Sequence, residues 1–257
     1  SGLPVSTTQA IVGAIVGWNI YTGSSTNIQI LVTIILTWVL CPVIAGLIAM
    51  FFFILTKKLL QTTSLHLLRL DAYTRTALLL AGAFGAYSLG ANNIANVMGV
   101  FVPISPFTEI NFMNILTLSS TGQLFLLGGI AIAVGVITYS KRVMITVGND
   151  LLRLSPVAAF IVVFSHSIVL FLFASQGISN FLHSINLPSI PLVPVSSSQA
   201  IVGAVIGIGL LKGGKEVKWD IASKIAVGWV VLPIIAALIS FVILFVLQNI
   251  FNQTVYL

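Results

Sequence analysis

Apolar positions in this chain come in long unbroken runs, without the alternation of a strand or the single stripe of a surface helix. The run from Ile28 to Thr56 contains no charged residue, and about 20 apolar residues are enough to cross a bilayer. Seven such segments are legible, at roughly 9–22, 28–56, 76–101, 122–140, 157–175, 196–211 and 222–249. Backbone polar groups in lipid must be satisfied within each segment, so the runs predict helices. A membrane barrel would need short alternating strands instead. Ser155-Pro156 predicts the start of the fifth helix, with a capping serine and a proline in the first turn. The fold class is an all-α polytopic membrane protein.

Polar positions recur in a pattern of their own. "PVSTTQAIVGAIVG" begins at Pro4 and "PVSSSQAIVGAVIG" at Pro194; ten of the fourteen positions are identical, and the rest exchange Ser for Thr or Ile for Val. The likeness continues into the next segment, where "WVLCPVIAGLI" from Trp38 aligns with "WVVLPIIAALI" from Trp229. Both copies begin with a capping box, Ser/Thr-x-x-Gln ahead of an apolar run, so each predicts a helix start at its serine cluster. Such a start offers free N–H groups, a partial positive charge and hydroxyl donors, and it binds oxyanions without Lys or Arg. Gly13 with Gly17, and Gly203 with Gly207, form small-xxx-small faces that let another helix approach closely. Duplication for stability alone would not favour keeping a polar cap inside a membrane segment.

Charge gives the repeat a direction. Charged residues are 6% of the chain against 58% hydrophobic ones, where a soluble domain carries about 25% charged. All eleven Lys and Arg fall in three stretches: Lys57, Lys58, Arg69 and Arg75; Lys141, Arg142 and Arg153; and Lys212, Lys215, Lys218 and Lys224. Seven crossings put all three stretches on one side, the cytoplasmic one by the positive-inside rule, with the C-terminal tail outside. The net charge of +6 therefore points to membrane topology, with no nucleic-acid partner. The first copy then runs outward and the second inward. That is an inverted-topology repeat, with broken or re-entrant helices expected where the two halves meet. The domain reading is residues 1–56 as the C-terminal part of a first inverted repeat, 57–75 as a basic cytoplasmic loop, and 76–257 as a second inverted repeat.

A third polar cluster sits in "GANNIANVMG", Gly90 to Gly99. Asn92, Asn93 and Asn96 interrupt an apolar run, and intramembrane polar side chains face a cavity or a partner helix. The cluster suits a broken helix whose carbonyls and amide oxygens hold sodium, or an interhelical hydrogen-bond cluster. His166, in "VVFSHSIVL", fits a histidine bonded to Ser165 or a neighbouring helix better than a proton relay. Glu109 reads as a solvated loop charge, His183 carries no signal, and Cys41 reads as a packing residue. No nucleophile–base pair or metal-ligand spacing suggests an enzyme.

These motifs resemble those of inorganic phosphate transporters of the PiT type, whose hallmark is "GAND-x-AN-x-x-G" in two inverted halves. Each half of that family also has a Pro-x-Ser-Ser/Thr-x-His/Gln segment leading into a "VGA-x-x-G" helix. "TVGNDLLRLSPVAAF" from Thr146 also looks like the family's stretch ahead of its last serine-rich motif. The resemblance runs over essentially the whole chain. It implies a plasma-membrane, multi-pass secondary transporter of inorganic phosphate, coupled to sodium or protons, with no cofactor and with self-association open. The implied phosphate site is Ser6, Thr7, Thr8, Gln9, Asn92, Asn93, Ser196, Ser197, Ser198 and Gln199, with Asn93 and Asn96 as sodium contacts. Alternatives that keep these features are a sulfate permease of the same architecture and a non-transporting anion-binding subunit. The chain departs from the family pattern in two ways. The family's aspartate is Asn93 here, which removes a carboxylate that could carry a proton. A first GAND-type motif would lie upstream of Ser1, so the chain is expected to be part of a longer or split transporter.

Overall fold

The computed structural model describes residues 4–63, 66–112 and 116–255. The first three residues, the last two of the C-terminal tail, and 64–65 and 113–115 lie outside the described residues. The described chain forms helices α1 (Thr7–Thr22), α2 (Ile28–Thr62), α3 (Leu67–Met98), α4 (Ser120–Ile145), α5 (Pro156–Ala174), α6 (Gln176–Ser184), α7 (Ser197–Leu211) and α8 (Trp219–Asn249). A 3-10 turn (Gly99–Ile104) follows α3 and leads to two short antiparallel strands, β1 (Ile110–Phe112) and β2 (Leu116–Leu118). A π-helical turn (Thr146–Leu151) continues α4.

Helix starts fall where the side chains can cap them. Ser6 Oγ accepts from the Gln9 N–H and Ser196 Oγ from the Gln199 N–H, both at 3.3 Å. Ser155 Oγ accepts from the Ala158 N–H at 3.3 Å, with Pro156 opening α5. Each cap satisfies one of the donors that a helix N-terminus leaves free. Among the described residues, four stretches are long and apolar enough to cross a membrane by length and composition: α2, α4 with its π turn, α5 and α8. The basic stretch 57–75, expected as a loop, is helical on both sides of Thr63–His66. Its charges lie on helix ends, where Arg75 and Asp71 pair at 2.9 Å one turn apart.

The repeated segments differ from the expectation of full crossings. α1 has 16 residues and α7 has 15, so they are about 24 and 22 Å long, shorter than the hydrocarbon core of about 30 Å. Their first turns are largely covered by protein, with Ser6, Thr8, Gln9, Ser196, Ser198 and Gln199 buried. A polar helix start at membrane depth needs that cover. An extended stretch with Pro188, Pro191 and Pro194 leads into α7 and supplies the rest of its path.

Glycines fix how the copies dock. A Cβ on Gly13 would collide with the Pro233 backbone of α8, and one on Gly17 with that of Ala237. In the other copy Gly203 meets Pro42 of α2 and Gly207 meets Gly46. Each short helix therefore lies parallel to the proline-containing helix of the other copy, in the same register. Tyr21 and Gln248 share a hydrogen bond where α1 and α8 end together. α7 ends beside the C-terminal part of α2, while α1 ends where α2 begins, so the two short helices point toward opposite ends of the molecule. The end reached by α2 and α7 carries Lys57, Lys58 and Lys212, and there the Lys218 N–H donates to Leu151 O at 3.1 Å.

The core is built on α5 and α7, with Ile161, Val162, Leu170, Val202, Val205 and Ile208 against Cys41, Ala45 and Ala49 of α2. Phe164 of α5 meets Phe52 of α2 edge-on at 5.1 Å, and Phe171 meets Phe84 of α3 at 5.6 Å. On α8 only Ile225 and Leu244 are buried, and its exposed Val, Ile, Leu and Phe side chains suit a lipid-facing surface.

Candidate functional site

The two short helices begin almost against each other. Thr8 Oγ1 donates to Val195 O at 3.3 Å, joining the first turn of α1 to the residue ahead of the α7 cap, 187 positions away. Asn92 of α3 holds the same residue by both its carbonyl and its N–H. Its Nδ2 donates to Val195 O at 2.9 Å, and its Oδ1 accepts from the Val195 N–H at 3.4 Å. Cys41 Sγ lies 3.8 Å from Ser196 O, which fits its reading as a packing residue. Three elements distant in sequence thus converge on one point.

The asparagine segment departs from expectation. α3 runs unbroken through Asn92, Asn93 and Asn96 to Met98, and the chain changes helix type only at Gly99. The asparagines do not unwind the helix because their amides have better partners. Asn92 uses Val195 and Asn93 Oδ1, and Asn96 Nδ2 donates to the Asn92 carbonyl at 2.9 Å. Asn92 is a clamp between α3 and the chain just ahead of α7, while Asn93 and Asn96 border cavities.

A cavity of about 770 Å³ opens beside the junction between α3 and α4. Its walls are apolar, and its polar groups come from Thr7, Asn93 and Ser197. Thr7 and Ser197 are the equivalent first residues of α1 and α7. A second cavity of about 300 Å³ is lined by Pro4, Val5, Ser197, Ser198 and His166. A third, of about 310 Å³, is lined by Thr8, Asn96 and Pro194. Of the ten residues expected to hold phosphate, Thr7, Asn93 and Ser197 line the cavity of about 770 Å³, Ser198 the second and Thr8 the third. Ser6 and Ser196 serve as caps, and Asn92 is engaged with Val195. Asn96, expected as a sodium contact, borders the third cavity.

The capping boxes are only half formed. The serine half is present in both copies, but Gln9 Oε1 and Gln199 Oε1 have no hydrogen-bond partner. The two residues are 2% and 4% exposed. Buried unpaired acceptors are uncommon, and finding one at the same place in both repeats points to a common cause. His166 also differs from expectation. Among the described residues its imidazole has no hydrogen-bond partner, and Ser165 Oγ is unpaired as well. The ring faces the second cavity, because the helix turns Ser165 and Ser167 into the core on either side of it. Glu109 and His183 are exposed.

Long apolar helices around an interior polar junction, with cavities beside it, define a polytopic helical membrane protein. The chain belongs to the phosphate transporter family, whose sequence profile matches residues 1–180 and 187–256. A protein of Methanocaldococcus jannaschii provisionally named a phosphate permease is 30% identical over 242 residues, covering 94% of this chain and 68% of that one. The sodium-dependent phosphate transporter 1-A of Xenopus laevis is 27% identical over 163 residues, covering 63% of this chain and 21% of its own length. Among solved structures, one titled the sodium-dependent phosphate transporter has the same fold, with a TM-score of 0.72 at 24% identity over 97% of this chain and 75% of that one.

Proposed function

We propose that this phosphate transporter family member binds inorganic phosphate at the junction of α1, α3 and α7 and carries it across the plasma membrane with sodium. The observation that carries this reading is the convergence of Thr7, Asn93 and Ser197 on one cavity, at two equivalent helix starts that point apart. Hydroxyl and amide donors beside two helix N-termini suit a tetrahedral oxyanion. We read the repeats as inverted halves of one pathway, with the cytoplasm at the basic end and the C-terminus outside.

Sodium is favoured as the coupling ion for a chemical reason. The unpaired amide oxygens of Gln9 and Gln199, and the side-chain amide oxygens of Asn93 and Asn96 beside the cavities, are neutral hard ligands of the kind an alkali cation takes. No carboxylate lines the three cavities at the junction to carry a coupled proton. The named sodium dependence of the Xenopus relative agrees with this choice. The protein is read as a carrier that leaves the P–O bonds of phosphate intact.

The test is labelled phosphate uptake into liposomes holding the intact transporter, with sodium or potassium gradients and with sulfate as competitor. Uptake driven by sodium and poorly inhibited by sulfate is expected. Flux without a sodium requirement would overturn the coupling, preference for sulfate would overturn the substrate, and saturable binding without flux would mark an anion-binding subunit.

A further inference from the structure

The second cavity contains chemistry that the phosphate junction does not use. His166 sits midway along α5, and its imidazole faces a space of about 300 Å³ with no protein partner among the described residues. Across that space lie Ser197 and Ser198 of α7 and the chain just ahead of α1. Ser197 also lines the larger cavity beside Asn93, so one residue belongs to both walls. The second cavity lies toward the basic end of the molecule, where Val143, Met144 and Val147 of α4 and its π turn close it.

We propose that this cavity is a second anion station, in which His166 receives a dibasic tetrahedral oxyanion from Ser197 and exchanges a proton with it. The inference rests on the phosphate reading above. An imidazole takes up a proton more readily when a dianion is brought against it. When protonated, it donates a charge-assisted hydrogen bond to an oxyanion within reach of the two serine hydroxyls. Moving the proton from imidazolium to a dianionic phosphate leaves a neutral ring and a monoanion, and the net charge of the pair stays at minus one. The anion then faces the apolar α4 wall with less charge to desolvate. The ring supplies, in this cavity, the titrating group that Asn93 cannot supply in the other.

No neighbouring element places a competing titratable group there. Of the residues lining the second cavity, His166 alone titrates. Cys41 of α2 is turned to Ser196 O, and Tyr87 of α3 rests against Phe171. Asp150 of the π turn and Lys141 and Arg142 of α4 are outside the lining, and α7 carries no titratable residue.

The experiment compares His166→Gln with the wild type in intact-transporter liposomes at a fixed sodium gradient. The quantity read is the ratio of the two uptake rates between about pH 5.5 and 8, which divides out the titration of phosphate itself. That ratio is expected to change by about fivefold or more; a constant ratio would overturn the proposal. A second arm uses wild-type protein and so does not depend on how the variant folds. Diethyl pyrocarbonate modification of each histidine is followed by mass spectrometry with and without inorganic phosphate. Phosphate is expected to slow modification of His166 and leave exposed His183 unaffected. An unchanged rate at His166, including no modification in either condition, would overturn the station. Absence of wild-type uptake would instead count against the transport reading, and the protection arm would still decide whether anion reaches the ring.

Discussion

The two copies of the repeat share ten of fourteen positions at their start, the serine cap and the glycine face, yet they occupy different surroundings. α1 and α7 each start on a serine cap and dock two glycines on a proline-containing helix. α1 buries only Thr8, Gln9, Gly13 and Gly17, whereas α7 is buried along most of its length. The difference comes from what lies behind each helix. α7 is enclosed between α2 and α5, with the π turn nearby, while α1 rests on α8, whose remaining surface is open. Local sequence therefore set the helix starts and the docking faces. Enclosure came from residues outside the repeat.

The comparison can be broken most severely at the glycines. Gly203→Val and Gly13→Val each drive a branched side chain into a helix backbone, and overpacking of this kind costs about 1–3 kcal/mol. Gly203→Val is expected at or above the top of that range because α7 cannot recede from α2. Gly13→Val should cost less, since α8 can move outward. Thermal unfolding of the purified proteins measures both, and equal losses would erase the distinction between an enclosed and an open copy.

A smaller effect concerns the shared cavity, where the copies should behave alike. Thr7→Val and Ser197→Ala each remove one hydroxyl from the same space. A hydrogen bond to a charged group is worth about 1.5–3 kcal/mol, so phosphate affinity should fall about 10- to 100-fold in either variant. Equilibrium phosphate binding checks this; weakening in only one variant would mean that the anion contacts one repeat alone.

The smallest effect separates the equivalent tryptophans. Trp229 Nε1 donates to Pro4 O at 3.2 Å, while Trp38 Nε1 is buried without a partner. Trp229→Phe should lose about 1 kcal/mol for that hydrogen bond. Trp38→Phe should lose less, because it also removes an unsatisfied donor. Denaturation midpoints of the two variants decide the order.

Much of the fold was legible in the residues. The serine caps and the proline at the start of α5 followed from local chemistry that involves neighbours three or four positions apart, whereas α2 and α3 run on into the basic stretch expected as a loop. The site was legible in part. Thr7, Asn93 and Ser197 were expected at the anion and do share a cavity. That Asn92 grips a peptide 103 positions away, so that α3 runs straight through its asparagines, was not readable. Neither was the isolation of His166, because a helical pattern places a residue on a face without saying what stands opposite.

By itself the sequence determined that the chain is a bundle of apolar helices with a duplicated polar helix start and a concentration of basic charge. Those properties follow from composition, period and capping, which act over one or two turns. Only the tertiary structure decided that the two starts meet, that Val195 is their junction, and that Ser197 stands between two cavities. Such contacts depend on how glycine faces let backbones approach and on which buried polar groups find partners once they do. Both are settled between segments almost 190 residues apart, where no local pattern reaches.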